Sequence, residues 1–453
     1  MESTLAQAAN SMHGTLQGTD LKFRGVSTDT RTLRDGELFF ALQGPNFDGA
    51  AFVEAAARHH ASGAVVPVPV DADISVIVVD DTLQALGLLA ADWRRQMPAT
   101  VIGITGSNGK TTLKEMIASC LALSAETLPT QGNLNNEIGV PLMLARLGKE
   151  HRYAVIEMGA NHAGEIARLT ALVQPKIVAI TNAAPAHLEG FGSLEAVAHA
   201  KGEILTSEIC PEIIILNADD QFFPYWCSLI PDVDVISFGL APQANFHASD
   251  VYATEYGSAF TLHMPAGEMQ IALPLFGAHN VVHACAAAAI ASSLKIDEQQ
   301  IKKGLETVQP VAGRLQPVHS ISGDTLYDDS YNANPVSVVA AAKFLAAQAG
   351  DSWLVLGDMA ELGDDAAELH ASVGRDLKSV GIKHLVATGE LCRYAVAAFG
   401  DGGLWFASRD ELIEKLQASL DGNSNVLVKG SRSMGMEHVV DALRNGSDEA
   451  RGA

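Results

Sequence analysis

The stretch that decides the fold is Thr100-Val-Ile-Gly-Ile-Thr105, followed by Gly106-Ser-Asn-Gly-Lys-Thr-Thr112. The first six residues form a β-branched, apolar run that predicts a buried strand, and the residues from Lys110 to Leu123 have the texture of a helix. A glycine-rich loop between a strand and a helix is typical of a phosphate-binding loop, because its backbone N–H groups and the positive end of the helix face an anion.

The side chains of this loop suit a nucleoside triphosphate with its magnesium ion. Lys110 is placed to neutralise phosphate oxygens, and a threonine hydroxyl is placed to complete the Mg²⁺ shell. The strict motif has a glycine five positions before Gly109, where this chain has Ile104. We predict that ATP is bound by Gly106, Ser107, Asn108, Gly109, Lys110, Thr111 and Thr112. The loop alone leaves the reaction open.

Around the loop the chain alternates strands and helices, which predicts an α/β protein of three domains over its 453 residues. We expect a small α/β domain in residues 1–84, a central parallel-sheet ATPase domain in residues 85–312, and a Rossmann-like α/β domain in residues 313–453. The strands predicted for the central domain are Thr100–Thr105, Tyr153–Glu157, Ile177–Thr181, Ile213–Leu216 and an edge hairpin of Phe260–Met264 with Met269–Leu273.

The charge balance limits the partners of the protein. It has 53 Asp and Glu against 30 Lys and Arg, a net charge of −23. Such a surface repels nucleic acid and anionic lipid, so we expect neither as a partner. The five cysteines are scattered, and we expect neither a leader sequence nor a membrane-spanning run. These features predict a cytoplasmic protein, which we expect to be a monomer.

Further motifs follow the loop in a fixed order along almost the whole chain. They are Gly132-Asn-Leu-Asn-Asn-Glu-Ile-Gly-Val-Pro141, Glu157-Met-Gly-Ala-Asn-His162, Ala186-His-Leu-Glu-Gly-Phe-Gly192, Asp328-Asp-Ser-Tyr-Asn-Ala-Asn-Pro335, Leu356-Gly-Asp-Met-Ala-Glu-Leu-Gly363 and Lys429-Gly-Ser-Arg-Ser433. In these motifs, and in its variant phosphate loop, the chain resembles the Mur ligases, which extend the peptide stem of peptidoglycan precursors with ATP. The ordered set is far more specific than any single motif.

The resemblance implies a reaction and its partners. It is strongest for the members that join D-alanyl-D-alanine to a UDP-N-acetylmuramoyl-tripeptide. ATP would phosphorylate the terminal carboxylate of the tripeptide, and the amine of the dipeptide would attack the resulting acyl phosphate. The cofactors implied are ATP and Mg²⁺. Whether the tripeptide ends in diaminopimelate or lysine stays open.

The resemblance also assigns metal-binding residues in the central domain. Glu157 ends a buried strand and is predicted to bind Mg²⁺ with Thr111; the alternative is a carboxylate that caps the next helix. His187 is predicted at a second metal, although a lone loop histidine more often serves packing. Lys201 reads as a solvated helix lysine, but the matching family residue carries a carbamate, which would make it a metal ligand. Lys110, Lys201, His187 and Arg314 are the predicted catalytic residues.

The remaining nucleotide contacts implied by the resemblance lie further along the chain. Asn280 is predicted near adenine, with helix N-capping as the alternative, and His283 replaces the second Asn of the family pattern. Arg314 is predicted to reach the γ-phosphate on domain closure, with a surface salt bridge as the alternative. Asp329 is predicted to bind ribose, and Tyr331 to lie near adenine.

Substrate contacts are predicted in all three domains. The resemblance places the uridine at Ser27, Asp29 and Arg31, a segment that otherwise reads as a polar turn. Asn133, Asn135 and Asn136 offer amide donors for phosphate or sugar oxygens, or hold their own loop together. The predicted dipeptide contacts are Asn332, Asn334, His370, Lys429 and Arg432.

The sequence leaves three other functions open. One is a Mur ligase that adds the third stem residue, although the chain lacks the Asp-Asn-Pro-Arg motif typical of its diaminopimelate form. A second is a ligase similar to folylpolyglutamate synthase. The third belongs to another class, the phosphate-loop phosphotransferases and ATPases, which form no amide bond.

Overall fold

The computed structural model describes residues 1–44, 47–207, 209–320 and 322–445. Three main sheets follow one another along the chain, and helices pack against them. This arrangement confirms the predicted α/β class with a central parallel sheet. Residues 446–453 of the predicted third domain lie outside the described residues.

The central sheet has nine strands and surrounds the phosphate loop. In spatial order its strands are Thr127–Pro129, Tyr153–Glu157, Thr100–Thr105, Ile177–Ile180, Ile213–Asn217, Val235–Gly239, Phe246–Thr254, Gly257–Met264 and Gly267–Leu273. The first seven are parallel, and the last two form the predicted antiparallel hairpin. The strands Thr127–Pro129, Val235–Gly239 and Phe246–Thr254 were not predicted.

The phosphate loop lies at the point where the chain changes direction across this sheet. From the strand Thr100–Thr105 the chain passes to Thr127–Pro129 and Tyr153–Glu157 on one side, and then to Ile177–Ile180 on the other. Ligands of open α/β sheets bind in the crevice that such a reversal leaves at the carboxyl ends of the strands. The fold therefore places the loop and Glu157 side by side.

The N-terminal sheet has five strands, and one helix joins it to the central domain. Its strands in spatial order are Thr15–Gln17, Val76–Val78, Gly63–Val66, Leu38–Phe40 and Val26–Ser27. Two short strand pairs flank it, Glu2–Thr4 with Lys22–Arg24 and Gln43–Gly44 with Phe47–Asp48. In the helix Thr82–Gln96, Leu86 and Leu89 belong to the N-terminal core, whereas Ala90 belongs to the central core. This helix is therefore shared by both domains.

The C-terminal sheet has six strands and resembles the predicted Rossmann-like layer. In spatial order they are Gln316–His319, Thr325–Asp329, Ser424–Lys429, Asp351–Leu356, His384–Thr388 and Gly403–Phe406. All pairs are parallel except that of the edge strand Gln316–His319. Pro317 lies in this edge strand, where a missing N–H is tolerated.

Helices fill the connections between strands. The α-helices are Leu5–Ser11, Val53–Arg58, Thr82–Gln96, Lys110–Ala122, Gly139–Leu144, Glu165–Val173, Leu188–Phe191, Leu194–Gly202, Phe223–Ser228, Ala278–Ser293, Glu298–Thr307, Pro335–Ala346, Ala366–Ser379, Cys392–Phe399, Arg409–Ser419 and Glu437–Asn445. Short 3₁₀ turns cover Gly49–Phe52, Glu203–Leu205, Gly363–Asp365 and Arg432–Met434. Within the described part of the chain, no helix combines the length and apolarity needed to cross a membrane.

Candidate active site

The phosphate loop holds its lysine close to its own backbone. The Lys110 ammonium donates to the carbonyl oxygens of Gly106, at 2.6 Å, and Ser107, at 3.4 Å. Burial lowers the pKa of Lys110, and the neighbouring Glu157 carboxylate opposes that shift. The ammonium therefore lies inside the loop, at the position where a phosphate-binding loop presents a cation to its ligand.

Glu157 is a buried carboxylate that contacts the loop. Its side chain accepts hydrogen bonds from the Thr111 hydroxyl, at 3.0 Å, and from the Asn135 amide, at 2.8 Å. Both partners are side chains rather than the N–H groups of a helix, so the helix-capping alternative is wrong. The carboxylate and the hydroxyl form an oxygen donor pair that fits Mg²⁺, which usually takes few protein ligands and completes its shell with water and phosphate.

Lys201 is buried rather than solvated. Only 2% of its surface is exposed, and its ammonium lies 5.5 Å from the ring centroid of Phe191. Burial, with a second contribution from Lys110, lowers the pKa of Lys201 to about 7. The alternative of a solvated helix lysine is therefore wrong. A large fraction of this side chain is a neutral amine at neutral pH, the form that can react with CO₂.

His187 has an unusual backbone and a partner from another domain. Its φ of 56° lies in the left-handed region, and its Nδ1 hydrogen-bonds to the Glu361 carboxylate of the C-terminal domain. Burial lowers the pKa of His187, and Glu361 opposes that shift. As a soft nitrogen ligand, His187 fits Mg²⁺ less well than Glu157 does, and an oxygen ligand from a modified Lys201 would improve the fit.

Two cavities meet at the phosphate loop, between the central and C-terminal domains. The first, of about 480 Å³, is lined by Lys110, Thr111, Glu157 and His187 on the central side. Other residues that were predicted to contact ATP or the substrates also line this cavity: Ser107, Asn108, Gly109, Asn133, Asn135, Asn136, Arg314, Tyr331, Asn332, Asn334 and Arg432. Two anionic groups and an amine could meet in this cavity, because cations and amide donors surround it.

The second cavity, of about 670 Å³, contains the predicted nucleotide contacts Thr112, Asn280 and Asp329. Asn108, Gly109 and Arg314 line both cavities, so a triphosphate passing over the loop would extend from one into the other. This placement supports the second cavity as the site of the base and sugar.

Asn280 keeps its predicted setting in the second cavity, whereas Tyr331 does not lie there. The N-cap of the helix Ala278–Ser293 is Gly277, and the buried Asn280 amide donates to the carbonyl of Phe276. The N-capping alternative is therefore wrong for Asn280. Tyr331 lines the first cavity and not the second, with its ring 4.3 Å from the Arg314 guanidinium carbon. The prediction that it lies near adenine is not supported, because the nucleotide-side cavity is formed without it.

His283 packs directly on the phosphate loop. Gly109 has a φ of 82°, and a Cβ atom at this position would lie 1.9 Å from His283 Nε2. The other ring nitrogen of His283 is buried and has no hydrogen-bond partner. Burial lowers the pKa of His283 to about 3, so the ring is neutral at physiological pH. Position 109 therefore requires glycine for two separate reasons: its φ lies in the left-handed region, and a Cβ atom there would collide with the His283 ring.

We expect Gly109→Ala to weaken ATP binding by roughly tenfold or more, because a left-handed alanine and a displaced His283 together distort the loop. Isothermal titration with a non-hydrolysable ATP analogue measures the effect. The double variant Gly109→Ala/His283→Ala should recover only part of the affinity, since it relieves the clash but not the backbone strain. Wild-type affinity in the single variant would contradict this account.

Asp329 and Lys429 form a buried ion pair in the second cavity. The Lys429 ammonium lies 2.7 Å from the Asp329 carboxylate and also donates to the carbonyl of Asn332 at 2.9 Å. Lys429 was predicted to contact the dipeptide, but it lines the nucleotide-side cavity and not the first one. The dipeptide contact is therefore not supported, because the parallel pairing of Thr325–Asp329 with Ser424–Lys429 sets Lys429 beside Asp329.

We expect Lys429→Met to lower the free energy of unfolding of the C-terminal domain by about 3–5 kcal/mol, because it leaves a buried carboxylate unpaired. Urea unfolding followed by near-UV circular dichroism measures the change. Lys383→Met is the matched control, because the pair of Lys383 with Asp351 is about half exposed; it should cost about 1 kcal/mol or less. Equal losses in both variants would refute a special role for the buried pair.

His370 does not face a substrate. It is fully buried, its Nε2 accepts from the N–H of Met359 at 3.0 Å, and its Nδ1 donates to the carbonyl of Ala366 at 2.7 Å. The predicted substrate contact is therefore wrong. His370 also belongs to a cluster with Asp358 and Cys392, but both its ring nitrogens are engaged by backbone, which leaves no lone pair for a metal.

A third cavity, of about 510 Å³, lies between the N-terminal and central domains. Ser27 and Asp29 line it together with Gln131 and Arg146 of the central domain. Arg31 does not line it; its exposed guanidinium forms a bidentate pair with Asp29, in which Nε donates to Oδ1 and Nη2 to Oδ2. The predicted uridine segment therefore borders a cavity of suitable size, whereas a uridine contact by Arg31 is not supported.

The asparagine predictions divide into cleft-facing and loop-holding residues. Asn135 contacts Glu157, whereas the Asn136 side chain accepts from the N–H groups of Ile138 and Gly139 and so holds its own loop. Asn334 caps the helix Pro335–Ala346, and its amide donates a hydrogen bond of 2.7 Å to Oδ1 of Asn108 in the phosphate loop.

Two interdomain pairs were missed at the sequence level, Asn108 with Asn334 and His187 with Glu361. The members of each pair lie 226 and 174 positions apart in the chain, so no local pattern connects them. The Leu356–Gly363 motif was the only signal that pointed towards Glu361.

Comparison with known proteins agrees with this geometry. Residues 104–291 match the model of the Mur ligase middle domain, and residues 313–432 match that of the Mur ligase, glutamate ligase domain. The chain is 44% identical to UDP-N-acetylmuramoyl-tripeptide–D-alanyl-D-alanine ligase of Escherichia coli K12, over 97% of this chain and 98% of the relative. The enzyme of the same name from Bacillus subtilis is 32% identical, over 98% of both chains. A crystal structure of MurF from Acinetobacter baumannii superimposes with a TM-score of 0.92 at 37% identity, covering 98% of this chain and 99% of that one.

Proposed function

This chain belongs to the Mur ligase family, and we propose that its two joined cavities form the site at which ATP hydrolysis drives amide-bond formation. The reaction joins D-alanyl-D-alanine to UDP-N-acetylmuramoyl-tripeptide, a step of peptidoglycan synthesis, and consumes ATP with Mg²⁺. The observation that carries the proposal is that the phosphate loop, Glu157 and Arg314 of the C-terminal domain border one continuous space.

We assign one task to each domain. Residues 1–84 bind the UDP-sugar at the third cavity, residues 85–312 bind ATP, and residues 313–453 bind the dipeptide and close on ATP. The first boundary lies within the shared helix Thr82–Gln96. We also propose that the enzyme works in the cytoplasm.

The residues of the first cavity bring two anions together. Lys110 neutralises the phosphate that is transferred, and Arg314 reaches the same region from the C-terminal domain. Mg²⁺, held by Glu157 and Thr111, would supply further positive charge to the phosphate oxygens. The side chains then only need to hold the tripeptide carboxylate in line with the γ-phosphate, since positioning supplies most of the catalysis in phosphoryl transfer.

The amine must reach the resulting acyl phosphate before water does. Tyr331, packed on Arg314, and Arg432 line the same cavity from the C-terminal domain. We assign Arg432 to the dipeptide carboxylate, because a guanidinium binds carboxylates through paired hydrogen bonds. The contact of Asn334 with Asn108 holds the C-terminal domain against the phosphate loop, and such docking shields the reacting groups from water.

Phosphate release from Mg-ATP in the presence and absence of each substrate tests the function. Turnover should require both a muramoyl tripeptide and D-alanyl-D-alanine, with one phosphate released per amide formed. Comparison of tripeptides ending in diaminopimelate and in lysine identifies the natural substrate. Equal turnover without the dipeptide would indicate an ATPase instead, and turnover with a muramoyl dipeptide and a single amino acid in place of both substrates would indicate a third-residue ligase.

A further inference from the structure

Two non-glycine residues with left-handed backbone face each other across the interdomain cleft. His187 has a φ of 56° and Glu361 a φ of 61°. Their side chains hydrogen-bond, and the N–H of Glu189 donates to the carbonyl of Glu361 at 3.1 Å. A left-handed backbone is unfavourable for both residue types, and such residues concentrate at functional sites because the surrounding structure must enforce them.

The loop that carries Glu361 is fixed to the C-terminal sheet. The N–H of Met359 donates to the buried His370 ring at 3.0 Å, and the N–H of Ala360 donates to the Ser431 hydroxyl at 2.7 Å. The N–H of Ser431 in turn donates to the carbonyl of Asp358 at 3.0 Å. Glu361 therefore moves with the C-terminal domain, whereas His187 belongs to the central domain.

The bond to Glu361 determines which nitrogen of His187 is free. A carboxylate on Nδ1 keeps the ring proton there and leaves the lone pair of Nε2 directed away from Glu361. Proteins commonly orient a metal-binding histidine in this way, with a carboxylate that does not itself touch the metal. His187 also lines the first cavity with Glu361, so its free nitrogen is available to that space.

We propose that Glu361 is a positioning residue that orients His187 towards a divalent cation, so that a second cation position is complete only when the C-terminal domain has docked. The proposal rests on the function proposed above, together with the second metal that the family resemblance predicts at His187. Because Glu361 moves with the domain that carries Arg314, cation binding and domain docking must favour each other to the same extent.

Binding of Mn²⁺, used as a paramagnetic probe in place of Mg²⁺, tests the proposal directly. The full-length enzyme is titrated in the presence of the tripeptide and a non-hydrolysable ATP analogue, and free Mn²⁺ is measured by electron paramagnetic resonance. We expect two bound ions in the wild type. Glu361→Ala should weaken one of them by roughly 10- to 100-fold, the usual effect of removing such a carboxylate, and leave the other unchanged.

Two variants serve as controls. Glu361→Gln keeps an oxygen acceptor for Nδ1–H and should retain most of the affinity. Glu189→Ala removes an exposed carboxylate two positions from His187 and should bind both ions as the wild type does. In turnover assays, Glu361→Ala should need more Mg²⁺ for half-maximal rate, and saturating Mg²⁺ should restore much of kcat.

Wild-type Mn²⁺ affinity for both ions in Glu361→Ala would overturn the proposal, as would a loss of kcat that Mg²⁺ does not restore. A single bound ion in the wild type would also overturn it. Failure of the proposed function would look different, because the wild type itself would then release phosphate without the dipeptide.

Discussion

Replacing Lys201 by alanine is expected to lower the ligation rate by roughly 10²–10³-fold or more, the loss that follows removal of a group stabilising transition-state charge. The side chain is buried, and its pKa of about 7 leaves a neutral amine available near physiological pH. A neutral amine adds CO₂ to form a carbamate, which replaces a cation by an anionic oxygen ligand. Phosphate release and amide formation are measured together.

Two further results are expected from a carbamate at Lys201. Acetate or another small acid should restore part of the activity of Lys201→Ala, because it can occupy the space of the lost carbamate. Wild-type activity should fall as the pH drops below about 7, since the protonated amine cannot react with CO₂. Lys343→Ala, which removes an exposed lysine, should have no effect. Normal turnover by Lys201→Ala would exclude a catalytic role for the carbamate.

Strands that are buried on both faces were the elements predicted most accurately from sequence. Thr100–Thr105 and Tyr153–Glu157 were predicted to the residue, because a parallel strand buried on both faces is a continuous apolar run. The strand Phe246–Thr254 was not predicted, because its second half is exposed and a bulge at Asp250 interrupts its pairing. Such a strand lacks the continuous run of apolar residues from which a buried strand is predicted.

The site was predictable only where its chemistry is local. The residues around Lys110 follow one strand, and Glu157 ends the strand beside it, so both could be placed from sequence. The settings of Lys429 and His370 could not be predicted from sequence. A lysine in a motif looks the same in the sequence whether its side chain faces a ligand or a buried aspartate. The contacts of Glu361 and Asn334 depend on how two domains dock, which no local pattern records.

Replacing Lys110 by alanine is expected to reduce turnover by roughly 10³-fold, comparable with the loss of other cations that act on the transferred phosphate. Its ammonium lies within the phosphate loop and borders the first cavity, so its removal leaves the phosphate charge without its nearest side-chain cation. We expect a higher KM for ATP and a lower kcat, whereas the KM for D-alanyl-D-alanine should change little. Steady-state kinetics with each substrate varied in turn separates these effects.

The structure also requires a stability control for this variant, because Lys110 hydrogen-bonds to two carbonyls of its own loop. Thermal unfolding of Lys110→Ala should shift by only a few degrees, since these bonds lie at the edge of the central core. Lys149→Ala, which removes an exposed lysine outside the cleft, should match the wild type in all assays. A variant at position 110 that keeps wild-type kcat would show that the loop binds phosphate through its backbone alone, and Arg314 would then be the cation on which catalysis depends.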